Sequence, residues 1–242
     1  MTIIPSILRL NPCYSFGQQI YPKGLMLHSV GCPQPSAQNF VSLWNSPSYT
    51  RACVHAFIDG ITGDVYQTLP WDWRGWHAGG AANNTHIGVE MCEPATIRYR
   101  ENSAEFEDLN PAETEKVVRR TYRSAVELFA QLCVEYELDP LSDGVILSHS
   151  EGHARGSASG HSDPEHLWAR FGLTMDGFRA DVAALMQGAE PDPLADVPDW
   201  SRQTIEKLVD KGYLQGTGDG LDLSRDMVRI LVILDRAGVF GG

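Results

Sequence analysis

Positive charge is scarce in this chain. Lys and Arg number 19 against 31 Asp and Glu, a formal charge of -12 at pH 7, and that excess repels the phosphate backbone whose neutralisation drives nucleic-acid binding. Nucleic acid is therefore excluded as a partner. Long apolar runs are lacking too. The opening MTIIPSILRLNP is partly apolar, but it has no basic flank, extended apolar stretch and small-residue cleavage site in succession, and no segment suits a membrane span of ~20 apolar residues. The expectation is a protein synthesised in the cytoplasm without a recognisable signal peptide, which another agent must deliver to any target outside the cell. Cysteine pairs are missing as well: Cys13, Cys32, Cys53, Cys92 and Cys133 are odd in number and scattered, with no CxxC, which suits reduced and mostly buried thiols. What is present, 43% hydrophobic and 21% charged residues in a chain of 242, suffices for one large domain and a small appendage.

Strand and helix signals alternate along the first part. KGLMLHSVG reads as a short buried strand, and SAQNFVSLWNS as a helix with Ser36 at its N-cap. CVHAFID, DVYQTLP and HIGVEMCE are three β-rich runs that end in Gly, Pro or polar residues. A long helix follows from Pro111, with Val118, Tyr122, Val126, Phe129, Cys133 and Tyr136 three or four apart. GVILSHSE reads as another strand, and PEHLWARF and TMDGFRADVAALMQ as helices. This order predicts an α/β fold, a mixed central β-sheet flanked by helices. GAEPDPLADVPD, with three prolines and four acidic residues, predicts a linker over 188–199 between a domain at 1–187 and a small helical module at 200–242. In that module Ile205, Leu208 and Val209 mark one helical face, GTGDG a turn, and Met227, Ile230, Leu231 and Leu234 a second helix. So short a pair of helices buries only a modest core. It is expected to dock on the larger domain or to form a homodimer.

Histidine is concentrated. Four of the eight, His149, His153, His161 and His166, fall within SHSEGHARGSASGHSDPEHLW. His149 and His153 stand four apart, as in an HExxH zinc motif, but Ser150 occupies the glutamate's place. The preceding VILS favours a strand, where residues four apart lie about 13 Å from each other and cannot share a metal. A better arrangement takes His149 from a strand end and HSD from the far side of the glycine-containing loop. In an extended HSD, His161 and Asp163 point to one side, and Pro164 then opens the next helix with Asp163 at its cap. A catalytic zinc ion takes three protein ligands and one open position. His149 and Asp163 supply two of them, and His28, at the end of an apolar strand, is the candidate third, with a buried hydrogen-bonded side chain as the alternative.

LMLHSVG, VHAFIDG with VYQTLPWDWRGWHAGG, NNTHIGVEMCE and SHSEGHARGSASGHSDPEHLW resemble, in this order, the zinc-dependent N-acetylmuramoyl-L-alanine amidases of the amidase-2 type, a family shared with phage endolysins and peptidoglycan recognition proteins. The resemblance covers roughly residues 20 to 185 and is strongest to clostridial-type bacteria and their phages or prophages. It implies one zinc ion on His28, His149 and Asp163, with Glu90 as general base and His161 as oxyanion donor where many relatives have lysine. Val54 stands where certain phage members carry a tyrosine, so more rests on Glu90. The implied substrate is peptidoglycan, cut at the amide between the lactyl group of N-acetylmuramic acid and L-alanine, in an endolysin or autolysin that acts at the cell wall after release. Zinc suits such a reaction because it brings the pKa of a bound water to about 7 and polarises a carbonyl. The alternative is a protein that recognises muropeptides without cutting them.

The resemblance also places His77, Trp76 and Asn84 on the substrate side, with support of the ligands as a second role for His77. Trp71, Trp73 and Trp76 read either as core anchors or as a wall against which sugar rings lie. His55, His86 and His166 read as structural, His153 as a loop residue, and Cys92 as a buried thiol. The terminal module loosely resembles a single surface-layer-homology or related wall-associated repeat. From 190 onward it carries ten acidic and six basic residues, so charge does not favour its attraction to an anionic wall.

Overall fold

The computed structural model describes residues 1–188, 194, 197–215, 221 and 223–241. The expected linker at 188–199 lies largely outside them, and the GTGDG turn wholly so. The chain divides into two compact units, Met1–Ala189 and Glu190–Gly242.

In the first unit the apolar run GLMLHS forms β2 (Gly24–Ser29), buried at all six positions. A strand covered on both faces belongs in the middle of a parallel sheet, and β2 pairs in parallel with β5 (His86–Met91) and with β8 (Ile146–Ser148). With β1 (Ile3–Pro5), β3 (Ala56–Ile58) and β4 (Val65–Gln67) the sheet has the order β1-β4-β3-β5-β2-β8, and β3 with β4 is its antiparallel pair. Alternation then sorts the side chains. Leu25, Leu27, Ile87, Val89 and Ile146 meet α3 (Pro111–Glu135) in one core cluster, while Met26 and Leu147 join Ala78 and Ala82 on the other face. Trp168, Phe129 and Phe178 are fully buried in the α3 layer, each burial stabilising by roughly 1.5–3 kcal/mol.

The long helix begins as expected at Pro111, with the Asn110 side chain accepting from Glu113 N. One other expectation holds without its side-chain bond, and two are corrected. Ser36 stands at the N-cap of α2 (Ala37–Trp44) but makes no side-chain cap bond. The Asp59 carboxylate reaches across from the sheet to accept from Ala37 N at 2.8 Å, a negative group at the positive end of a helix. The strand GVILSHSE ends at Ser148, and His149 opens α4 (His149–Ala154) behind a capping box made by Ser148 and Glu151. Asp163 does not cap α5 (Glu165–Trp168), whose N-cap is Pro164. Beyond the expected elements the fold adds β1, α1 (Pro12–Phe16) and a hairpin of β6 (Ile97–Tyr99) and β7 (Phe106–Asp108). α6 (Met175–Met186) completes the unit, its Phe178 and Val182 sealing the core.

In the second unit α7 (Asp199–Asp210) and α8 (Arg225–Arg236) share a small core of Leu194, Val197 and Ile205 with Val209, Leu214 and Leu231. Lys207 Nζ and Thr204 Oγ1 donate to Asp235 and tie the two helices together. No described helix is long and apolar enough to cross a membrane.

Candidate metal centre and active site

Parallel strands gather chemistry at their carboxyl ends, where their loops emerge on one edge of the sheet. Three adjacent strands do so here. His28 is the fifth residue of β2 and lies in register with Glu90 on β5, and His149 directly follows β8. Asp163 reaches the same edge from the loop before α5, its Oδ2 accepting from Ser29 N at 3.3 Å. At Gly152, where α4 lies against β2, a Cβ would stand 2.6 Å from Met26 Cε and oblige that flexible side chain to move.

His28, His149 and Asp163 are all buried, and one potential ligand atom from each lies within 4.8 Å of the others. His28 Nδ1 is 2.9 Å from His149 Nδ1 and 3.4 Å from Asp163 Oδ2, and His149 Nδ1 is 3.8 Å from Asp163 Oδ1. These spacings bracket the edge of about 3.3 Å that a tetrahedral shell with Zn–N near 2.0 Å requires. Two imidazoles and a carboxylate with one position left open are the donor set of a catalytic zinc site. The residues present fit the ion.

Behind each of the two histidines stands a partner. His28 Nε2 lies 3.0 Å from His77 Nδ1, and His77 Nε2 lies 3.0 Å from the His86 carbonyl oxygen. His149 Nε2 lies 3.1 Å from Ser159 Oγ. Burial, and then neighbouring imidazoles, hold His77 neutral well below its ordinary pKa. Burial likewise lowers His149 to about 4, with His28 pushing the same way. For Asp163 burial alone would raise the pKa, but the neighbouring imidazoles of His28 and His149 outweigh it and the net shift is downward. Glu90 differs: burial raises its pKa well above the carboxylate norm, Asp163 and Glu93 add to this, and its Oε2 is buried with no hydrogen-bond partner.

His161 stacks on His149 at 4.4 Å between ring centroids, and its Nδ1 lies 3.7 Å from Asp163 Oδ1 with most of the ring exposed. His161, Asp163, His149 and His28 are thus brought together. His77 is buried and spends both ring nitrogens inside the protein. Trp76 is half-buried against the cluster of Phe40, Trp44 and Phe57, and exposed Asn84 accepts from Arg74 Nε. His153 does share a helix with His149, contrary to the strand reading, yet it is exposed and outside the ligand set. His55 and His86 hold backbone groups, and Cys92 is buried in the second core cluster.

One group of residues gave no signal in the sequence. Glu93 is fully buried and accepts from Ser29 Oγ at 2.7 Å, Gly31 N at 3.0 Å and Tyr99 Oη at 2.8 Å. Tyr99 Oη is also 2.6 Å from His166 Nε2. The cluster braces the turn after β2 against the β6–β7 hairpin, and no motif links positions 29, 93, 99 and 166. Beside it Arg100, Ser103, Phe106, Ser162, His166 and Arg170 line a cleft of about 590 Å³.

A buried cluster of two histidines and one carboxylate at the carboxyl edge of a mostly parallel sheet, with a partnerless glutamate beside it, has the donors that could hold a metal ion on an α/β scaffold. The chain belongs to the N-acetylmuramoyl-L-alanine amidase family, whose model matches residues 18–166. A bifunctional autolysin of Staphylococcus epidermidis is 31% identical over 70 residues, which is 29% of this chain and 5% of that much longer protein. Among solved structures, the catalytic domain of XlyA superposes with a TM-score of 0.53 at 21% identity, over 75% of this chain and 99% of that one. The Staphylococcus aureus hydrolase AmiA, solved with its ligand, gives 0.56 at 17% identity over 78% and 85%. At such identities the likeness to the solved structures is one of fold.

Proposed function

We propose that this protein is a peptidoglycan hydrolase that cuts the amide between the lactyl group of N-acetylmuramic acid and the L-alanine of the stem peptide, in the manner of an endolysin or autolysin. His28, His149 and Asp163 would hold one zinc ion, which when bound supplies a Lewis acid for the scissile carbonyl and acidity for the attacking water. The observation that carries this reading is Glu90: a carboxylate in register with His28 whose buried Oε2 has no protein partner. An unpaired carboxylate in that place is costly unless substrate or water completes it. Glu90 takes the proton from water and returns it to the leaving amine. Exposed His161, stacked on His149, donates to the oxyanion of the tetrahedral intermediate. The second unit holds the enzyme on the wall, a role supported by the exposed apolar side chains Met227, Ile230 and Ile233 on α8.

The test is mass spectrometry of purified muropeptides incubated with zinc-loaded protein, its Glu90→Gln variant and a chelator-treated sample. Free stem peptide should appear with the wild type alone, at a rate at least about 100-fold above the variant. Muropeptide binding without cleavage by the wild type would replace this reading with that of a recognition protein, and cleavage that survives Glu90→Gln would remove Glu90 from its role.

A further inference from the structure

His77 lies in WHAGG, a motif that ligation leaves unexplained, and the protein has built a slot for it. Its backbone N–H donates to Asn83 Oδ1 at 2.9 Å, which fixes the loop. Its ring lies against Gly88 of β5, where a Cβ would stand only 2.2 Å from His77 Cγ, so no other residue fits beneath it without displacing the ring. Its two nitrogens then face different groups. Nε2 meets the His86 carbonyl oxygen, which can only accept, so Nε2 carries the proton. Nδ1 is left as an acceptor, and the atom facing it, His28 Nε2 at 3.0 Å, must therefore be protonated. A second proton on His77 would instead place a cation in an enclosed slot between His28 and His55.

We propose that His77 is a positioning residue for the metal: held between the His86 carbonyl and His28, it keeps the His28 proton on Nε2 and so keeps the Nδ1 lone pair turned toward His149 and Asp163. This rests on the reading of those three residues as the zinc ligands. The consequence is an asymmetry between the two histidines. The far nitrogen of His149 meets a serine hydroxyl, which can donate or accept and so imposes no tautomer. His28 is the pre-set ligand of the pair. The chain of dipoles also ends on the backbone of His86, the first residue of the strand that carries Glu90, so the ligand's orientation is tied to the frame of the general base.

The experiment uses the full-length chain and measures zinc affinity by competition with a chromogenic chelator, together with NMR of histidine ring nitrogens in zinc-free protein. His77→Leu should weaken zinc binding about 10- to 100-fold, the usual loss when a ligand's outer partner is removed, and should let the His28 proton move to Nδ1. His77→Gln, whose amide offers an acceptor and a donor much as the ring does, should stay within about threefold of wild type while Leu does not. Gly88→Ala, which leaves every ligand and His77 itself in the sequence, should show the same loss as His77→Leu. Equal affinity in wild type and His77→Leu would overturn the proposal, as would a Gln variant as weak as Leu, since packing alone would then explain the loss. Failure of the wild type to bind zinc stoichiometrically would sink the metal centre and the relay together, which sets that outcome apart from failure of the relay alone.

Discussion

Glu93 touches no metal ligand atom, yet it shows how far burial can move a carboxylate at this edge of the sheet. Burial raises its pKa to about 7 despite three donated hydrogen bonds. The sign follows from where the proton is held. Below its ordinary value near 4.5 both folded and unfolded chains hold it; between 4.5 and 7 only the folded chain does; above 7 neither does. Stability thus falls as pH rises across that window, by up to about 3 kcal/mol. In zinc-free protein the wild type should lose stability relative to Glu93→Gln as pH is raised from 4.5 to 7, measured by urea unfolding at each pH. Parallel curves for the two proteins would show that folding leaves the Glu93 pKa unchanged. At this scale a strand end or the short polar HSD motif marks His28, His149, His161 and Asp163, which the fold brings together, whereas only the family resemblance singles out Glu90. Glu93, Tyr99 and His166 carry no such mark: their meeting depends on closure of the β6–β7 hairpin over β2, and no local pattern records it.

At the scale of elements, α4 decides where His149 points, and Ser148 decides where α4 begins. The Ser148 hydroxyl accepts from Glu151 N at 3.0 Å and donates to the carboxylate of Glu165, whose other oxygen is already buried without a partner. Glu151 in turn pairs with Arg179 of α6, so one cap joins three helices to the last strand. Ser148→Ala removes the cap and leaves a buried carboxylate with less compensation. The expected cost is about 2–3 kcal/mol, read as a lower urea midpoint with an unchanged slope, and a loss below about 0.5 kcal/mol would mean that water replaces the hydroxyl. The helix start was legible in principle, since SHSE is the S-x-x-E pattern of a capping box. The β-branched Val145 and Ile146 before it favour a longer strand, and that local preference hides the signal. α1 was passed over for a similar reason: Asn11 as cap, Pro12 in the first turn and Gly17 at the far end are a full set of helix signals around only five residues.

At the scale of the whole molecule, the two compact units carry unlike surfaces. The first buries His28, His149 and Asp163 and scatters its exposed apolar side chains over a long chain, whereas the short second unit leaves Trp200, Tyr213, Met227, Ile230 and Ile233 exposed around a small core. The second unit is acidic, with ten acidic and six basic residues from 190 onward, so long-range attraction to an anionic polymer is not available to it. If it anchors the enzyme, it does so through apolar and aromatic contact with sugar rings and peptide. Such contact is not screened by salt, unlike attraction between exposed charges. A protein ending at residue 188 should therefore cut soluble muropeptides within about twofold of the full chain, because none of the residues assigned to the reaction lies beyond Asp163. It should fail to sediment with purified cell walls, while the full chain sediments equally at low and high salt. Retention of wall binding by the shortened protein would remove the anchoring role. Release of the full chain by salt would instead point to its few cations, and a change from two chains per particle to one on truncation, read by light scattering, would assign the second unit to dimerisation.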